Sequence, residues 1–117
     1  MQKTFADATA WQVTDPEIMD MDRYLSSANA PDFEEDARLC IASGARHMVL
    51  NCANLGYVTG AGLRSFLNIA RMMRDVEGRL SIAGLKDQPK EMFYACGLNA
   101  FIPSLDEKQN LTAVQAA

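Results

Sequence analysis

The chain has 117 residues, enough for one domain with a real core, and 49% of them are hydrophobic against 22% charged, the balance of a folded rather than a disordered chain. Its formal net charge of −4 argues against nucleic acid, whose phosphates require clustered Lys and Arg, and against an anionic membrane surface. No apolar run approaches the roughly 18 residues of a membrane span, and the opening MQKTFADATAW lacks the apolar stretch of a secretory leader, so a cytoplasmic protein without membrane insertion is expected.

The first predicted element is a hairpin. Trp11 to Thr14 and Glu17 to Met21 flank the turn former Asp15-Pro16 and read as two short strands. Asp20 and Asp22 alternate there with Met19 and Met21, either as a paired-carboxylate site or as a solvated strand face. The next stretch, YLSSANAPDFEEDARLCIASG, carries a helix. Asn29 is its candidate N-cap and Pro31 lies in the first turn, where its missing N–H costs nothing. Asp32, Glu34 and Glu35 suit the positive end of the helix dipole. Phe33, Ala37, Cys40 and Ile41 recur on one face, and Gly44 is the expected stop.

HMVLNC, residues 47–52, reads as a strand covered on both faces, because Met48, Val49 and Leu50 run without a polar break. A second helix is expected over about 60–76. Leu63, Phe66, Leu67, Ala70 and Met73 share its inner face; Arg64, Asn68, Arg71 and Asp75 share the outer one. Ile69, Met72 and Val76 lie between, so the apolar arc is wide, and its methionines suit either the core or an adaptable contact surface. Gly78 ends this helix. RLSIAGL, residues 79–85, is a strand with Leu80 and Ile82 inward. DQPKEMFYACG, residues 87–97, is a short helix opened by Pro89 and closed by Gly97. AFIP, residues 100–103, reads as a final short strand. Ser104 with Glu107 forms a capping-box pattern for a last helix over about 105–115, with Leu111 and Val114 against the body.

This order predicts an α/β fold in one domain over residues 1–117, with its core at about 11–114. Strand–helix alternation implies parallel strands and right-handed crossovers. The result is a small, mixed, mostly parallel sheet with an N-terminal hairpin, packed with about four α-helices.

Signs of catalysis are sparse. His47 is the only histidine and stands without an acidic constellation. Cys40, Cys52 and Cys96 match no zinc or redox spacing and are expected to be reduced and buried. The sequence TGAG at 59–62 lacks the Gly-rich phosphate-loop patterns. No nucleophile–base pair, metal cluster or cofactor loop is legible, so the protein is expected to be no enzyme and to need no cofactor or metal.

Four stretches, in order and at matching spacing, resemble the STAS domain, the fold of bacterial anti-sigma factor antagonists. YLSSANAPDFEE resembles the family's L-D-S-A-N-A-P-E-L-E-E. HMVLNCANLGYVTGAGLR is similar to V-V-L-D-L-S-x-L-x-Y-I-S-S-A-G-L-R. GRLSIAGL resembles the strand that follows, and ACGLNAFIP resembles x-x-G-L-D-x-x-x-P. The resemblance implies a regulatory module that binds an anti-sigma factor, often a kinase, and is switched off by phosphorylation of a hydroxyl at the start of the second helix and restored by a phosphatase. A phosphate adds about −1.5 to −2 charges at pH 7, and a helix N-terminus stabilises it.

In the register fixed by Gly62 and Leu63, the acceptor position falls on Gly60, which has no hydroxyl. Its neighbour Thr59 is either an N-cap or a displaced acceptor. Asn51 and Ser26 stand where many members have Asp. The implied partner-binding set is Ser26, Asn51, Tyr57, Thr59, Gly60, Ala61, Arg64 and Asn68, on the loop 55–60 and the exposed side of the second helix. A monomer or weak homodimer is expected. A second role known for such domains is as an accessory subunit of a lipid-transport ABC complex, bracing an ATPase.

Overall fold

The computed structural model describes residues 16–106. Five strands and three α-helices follow one another: β1 Glu17–Asp20, β2 Tyr24–Leu25, α1 Ala30–Ala42, β3 His47–Asn51, β4 Tyr57–Val58, α2 Gly60–Asp75, β5 Arg79–Ala83 and α3 Asp87–Ala95, with a 3-10 turn at Leu98–Ala100. Strands β1, β3 and β5 form a parallel sheet with β3 in the middle. Strands β2 and β4 form a separate two-stranded parallel ladder.

The pleat explains the apolar run of β3. Met48 lies between Glu17 and Leu80, and Leu50 between Met19 and Ile82. Met48, Leu50, Leu80 and Ile82 all enter the core with Phe33, Phe66 and Phe93. Side chains alternate across a sheet, so Val49 and Ser81 point to the opposite face, and they too are buried. Three rings join the helices over the inner face: Phe66 meets Phe33 edge-on at 5.9 Å and Phe93 at 6.5 Å.

The helix ends follow local rules, with two revisions. At the end of α1 the Gly44 N–H donates to the Ile41 carbonyl and the Ala45 N–H to the Cys40 carbonyl, a Schellman closure with Gly44 at φ +110°. The end of α2 has the same closure, but Glu77 takes the left-handed position at φ 58°. Gly78 is needed for a different reason: a Cβ there would lie 2.7 Å from Met73 Cε and 2.9 Å from the Arg46 carbonyl.

The buried face of α2 is turned from the expected one. Gly62, Leu63, Ser65, Phe66, Ile69 and Met73 are buried, while Leu67 and Ala70 are half-buried. Ser65 escapes the hydropathy pattern because its hydroxyl donates to the Gly62 carbonyl at 2.6 Å.

The expected strand over 100–103 is corrected. The 3-10 turn occupies its start, and only a single parallel bridge joins Ser104 to Ile82. Residues 24–25 and 57–58, expected as helix lead-in and loop, are instead the short ladder. The pairing of residues 11–14 and the body of the last helix fall outside the described residues. Within them β1 runs parallel to β3, three α-helices are complete, and Leu105 and Asp106 are helical where the last helix is expected to begin.

Candidate functional site

The site is built on the two-residue ladder. Tyr24 pairs with Tyr57 and Leu25 with Val58. Leu25 and Val58 are almost fully buried, whereas Tyr24 and Tyr57 are 47% and 54% exposed. The ladder therefore plugs one face into the core and shows two aromatic side chains on the other. The Gly56 N–H donates to the Arg23 carbonyl at 2.7 Å and the Thr59 N–H to the Leu25 carbonyl at 3.0 Å, which extends the pairing on both sides.

Thr59 is the N-cap of α2. Its extended backbone (φ −102°, ψ 175°) lets Oγ1 accept from the Gly62 N–H at 3.2 Å, satisfying one of the free donors of the first turn. Oγ1 also lies 3.5 Å from the Leu25 carbonyl. Thr59 is half-buried and Gly60 exposed.

The two glycines of TGAG have opposite reasons. A Cβ at Gly62 would sit 2.5 Å from the Leu25 carbonyl oxygen and 2.7 Å from Val58 Cγ2, so only glycine lets α2 lie this close to the ladder. A Cβ at Gly60 would meet nothing within 4 Å. The hydroxyl absent at Gly60 is absent for no steric reason.

Ser26 follows the last ladder residue of β2, Leu25, as Thr59 follows that of β4, Val58. Its hydroxyl accepts from the Ala28 N–H at 3.1 Å. Asn29, expected to cap α1, makes no cap bond with its side chain. It accepts instead from the Ser26 N–H and donates to the Tyr24 carbonyl, both at 2.9 Å, thereby fixing the turn between β2 and α1.

Ala61 and Arg64 follow Gly60 along α2, Ala61 half-buried and Arg64 exposed. Asn68 is half-buried and its amide donates to Glu34 Oε2 at 3.0 Å, so it joins α2 to α1 rather than standing free on the surface. Asn51 is committed elsewhere: it donates to Asp20 Oδ1 at 2.8 Å and accepts from the Ala53 N–H at 3.2 Å. The structure thus gathers Ser26, Tyr57, Thr59, Gly60, Ala61 and Arg64 around one turn, and directs the side chains of Asn51 and Asn68 to structural bonds.

One residue of this region gives no sequence signal. Gln88, in the first turn of α3, accepts from the Val58 N–H and donates to the Val58 carbonyl, each at 2.9 Å. The contact spans 30 residues, and no local period or motif marks it.

Asp20 and Asp22 form no paired site. β1 ends at Asp20, whose carboxylate is held by Asn51, and Asp22 lies in the loop beyond. No group of three or more His, Cys, Asp or Glu among the described residues is placed to hold a metal ion.

The cysteines also separate. All three are free, and Cys52 alone is fully buried, its thiol pushed up to about 12 by loss of solvation. Cys40 is half-buried, and its thiol is raised by the same cause and by the nearby acids Glu17 and Asp36. Cys96 is exposed, against expectation, because it is the C-cap one residue beyond α3, where its thiol meets the Phe93 carbonyl at 3.5 Å.

With this geometry in place, comparison with known proteins is decisive: residues 9–111 match the STAS domain family model. The chain belongs to the STAS domain family. A relative in Bordetella bronchiseptica, BtrV, provisionally named an anti-sigma factor antagonist, is 32% identical over 89 residues, covering 76% of this chain and 77% of the relative. The fold resembles the unphosphorylated anti-sigma factor antagonist SpoIIAA (TM-score 0.63, 14% identity, 90% of this chain and 96% of that one). It likewise resembles the phosphorylated form of SpoIIAA from Bacillus (TM-score 0.62, 18% identity, 87% and 94%). Thermotoga maritima TM1081 is similar too (TM-score 0.68, 13% identity, 80% and 78%). At these identities the structures speak for the STAS fold alone. No helix among the described residues of this STAS domain is long and apolar enough to cross a membrane.

Proposed function

We propose that this STAS domain is a partner-switching regulator of the anti-sigma factor antagonist type, working in the cytoplasm as a binding protein without turnover. Its docking face is the turn around Thr59 and Gly60, with Ser26, Tyr57, Ala61 and Arg64 beside it. Its partner is an anti-sigma factor or a kinase-like regulator, and its binding is independent of phosphorylation.

The observation that carries this reading is the contrast between positions 59 and 60. Position 60 is exposed with open space around it, as an acceptor for a kinase must be, yet holds no hydroxyl. Thr59 has the hydroxyl, but its oxygen is spent on the Gly62 N–H and faces the Leu25 carbonyl. A phosphoryl group on that oxygen would bring about −1.5 to −2 charges against a carbonyl and disturb the cap. Kinship with BtrV and the fold shared with SpoIIAA support the class of partner.

The test is incubation with a purified anti-sigma factor kinase and ATP, read by intact mass and by calorimetric binding before and after. The wild type is expected to bind and to gain no phosphate, whereas Gly60→Ser gains one and then loses affinity. Phosphate on wild-type Thr59 would replace the insensitive switch with a displaced one. Phosphate at another site such as Ser26 would refute both forms.

A further inference from the structure

Val58 is the point on which the docking turn rests. Its side chain is buried beneath Gly62, within 2.7 Å of where a Cβ would be. In a parallel ladder successive residues direct their backbone groups to opposite sides. Thr59 bonds toward β2, while the Val58 N–H and carbonyl face away from it, toward α3, where Gln88 takes both. Without Gln88 that buried peptide edge would be orphaned, which is unfavourable for backbone groups.

A side-chain amide suits this task because it offers one donor and one acceptor side by side, as a neighbouring strand would. The ladder it completes has only two residues per strand, and a pair that short does not hold its register alone. α3 is a firm base, with Pro89 and Phe93 buried and Phe93 packed edge-on against Phe66 and Tyr94.

We infer that Gln88 is the positioning residue of the docking turn: its amide fork on Val58 sets the place of the Thr59 cap and the Gly60 face, and so couples α3 to the surface that meets the partner. The use of this coupling rests on the docking reading above; the coupling itself is a property of the fold and can be tested without a partner.

The test is Gln88→Glu in the full chain, followed by amide NMR and hydrogen exchange at pH 4 and pH 7.5, with wild type and Gln88→Met as controls. A protonated carboxyl reproduces the fork, donating to the Val58 carbonyl and accepting from its N–H. An ionised one cannot donate and repels that carbonyl. At the ordinary Glu value of about 4.3, roughly two thirds of the side chain is protonated at pH 4. Gln88→Glu is therefore expected to resemble wild type at pH 4. At pH 7.5 it should lose about tenfold or more in protection at Val58 and Gly62, with shifts at Thr59 and Gly60, while α1 keeps its protection. Gln88→Met should show the loss at both pH values. A Gln88→Glu spectrum that does not change with pH at residues 58–62 would overturn the inference, as would a loss of protection shared equally by α1. A released turn with unchanged affinity for the anti-sigma factor would leave the coupling standing and remove the docking reading.

Discussion

Alanine at the two glycines of the TGAG turn should move stability in opposite directions. Gly60 sits at the first helical position with no neighbour within 4 Å of an added Cβ and no left-handed backbone requirement. Alanine there reduces the freedom of the unfolded chain without a folded-state clash, which stabilises by about 0.4–1 kcal/mol. At Gly62 the same methyl group would lie 2.5 Å from the Leu25 carbonyl oxygen, 2.7 Å from Val58 Cγ2 and 2.9 Å from Leu25 Cγ. One of these atoms is backbone and the others belong to buried side chains, so α2 and the ladder must separate. Overpacking of this kind costs about 1–3 kcal/mol, only partly offset by alanine's better helix propensity. The two variants should differ by about 2 kcal/mol. Urea unfolding followed by circular dichroism resolves this easily, because at a slope of about 1–3 kcal/mol per molar the midpoints separate by roughly 1 M. A Gly60→Ala protein destabilised by more than about 1 kcal/mol, or a Gly62→Ala protein as stable as wild type, would refute the account of the turn.

Thr59→Ala should lose about 1 kcal/mol by removal of the cap on Gly62, while Thr59→Ser should keep most of it; chemical denaturation measures both. Glu77→Gly should stabilise by up to about 1 kcal/mol, because Glu77 holds a left-handed conformation that glycine adopts freely; the thermal midpoint reports it. Thiol labelling under native conditions should modify Cys96 first and Cys52 only as the chain unfolds. Cys52 also sets an alkaline limit. Its folded thiol ionises near 12 and its unfolded thiol near the ordinary value of about 8.5. The unfolded state then binds fewer protons above that value, so stability should fall as pH rises from there toward 12, and Cys52→Ala should flatten that slope.

The amino-acid sequence by itself settled the order of the major elements and the family. Periodicity found α1, α2, β3 and β5 because each buries a face long enough to leave a repeat, as Phe33 and Ala37 do in α1 and Met48 to Leu50 do in β3. Thr59 as a cap was legible because capping is a contact over three residues. What the sequence could not carry was pairing at a distance. The β2–β4 ladder is two residues long, too short to show an alternation, and its existence depends on strands 33 residues apart. Gln88 is invisible for the same reason, since nothing near it in the chain records Val58. The family register told Gly60 from Gly62 by position, but only the tertiary structure could tell them apart sterically: the difference is whether another backbone passes within reach of a Cβ.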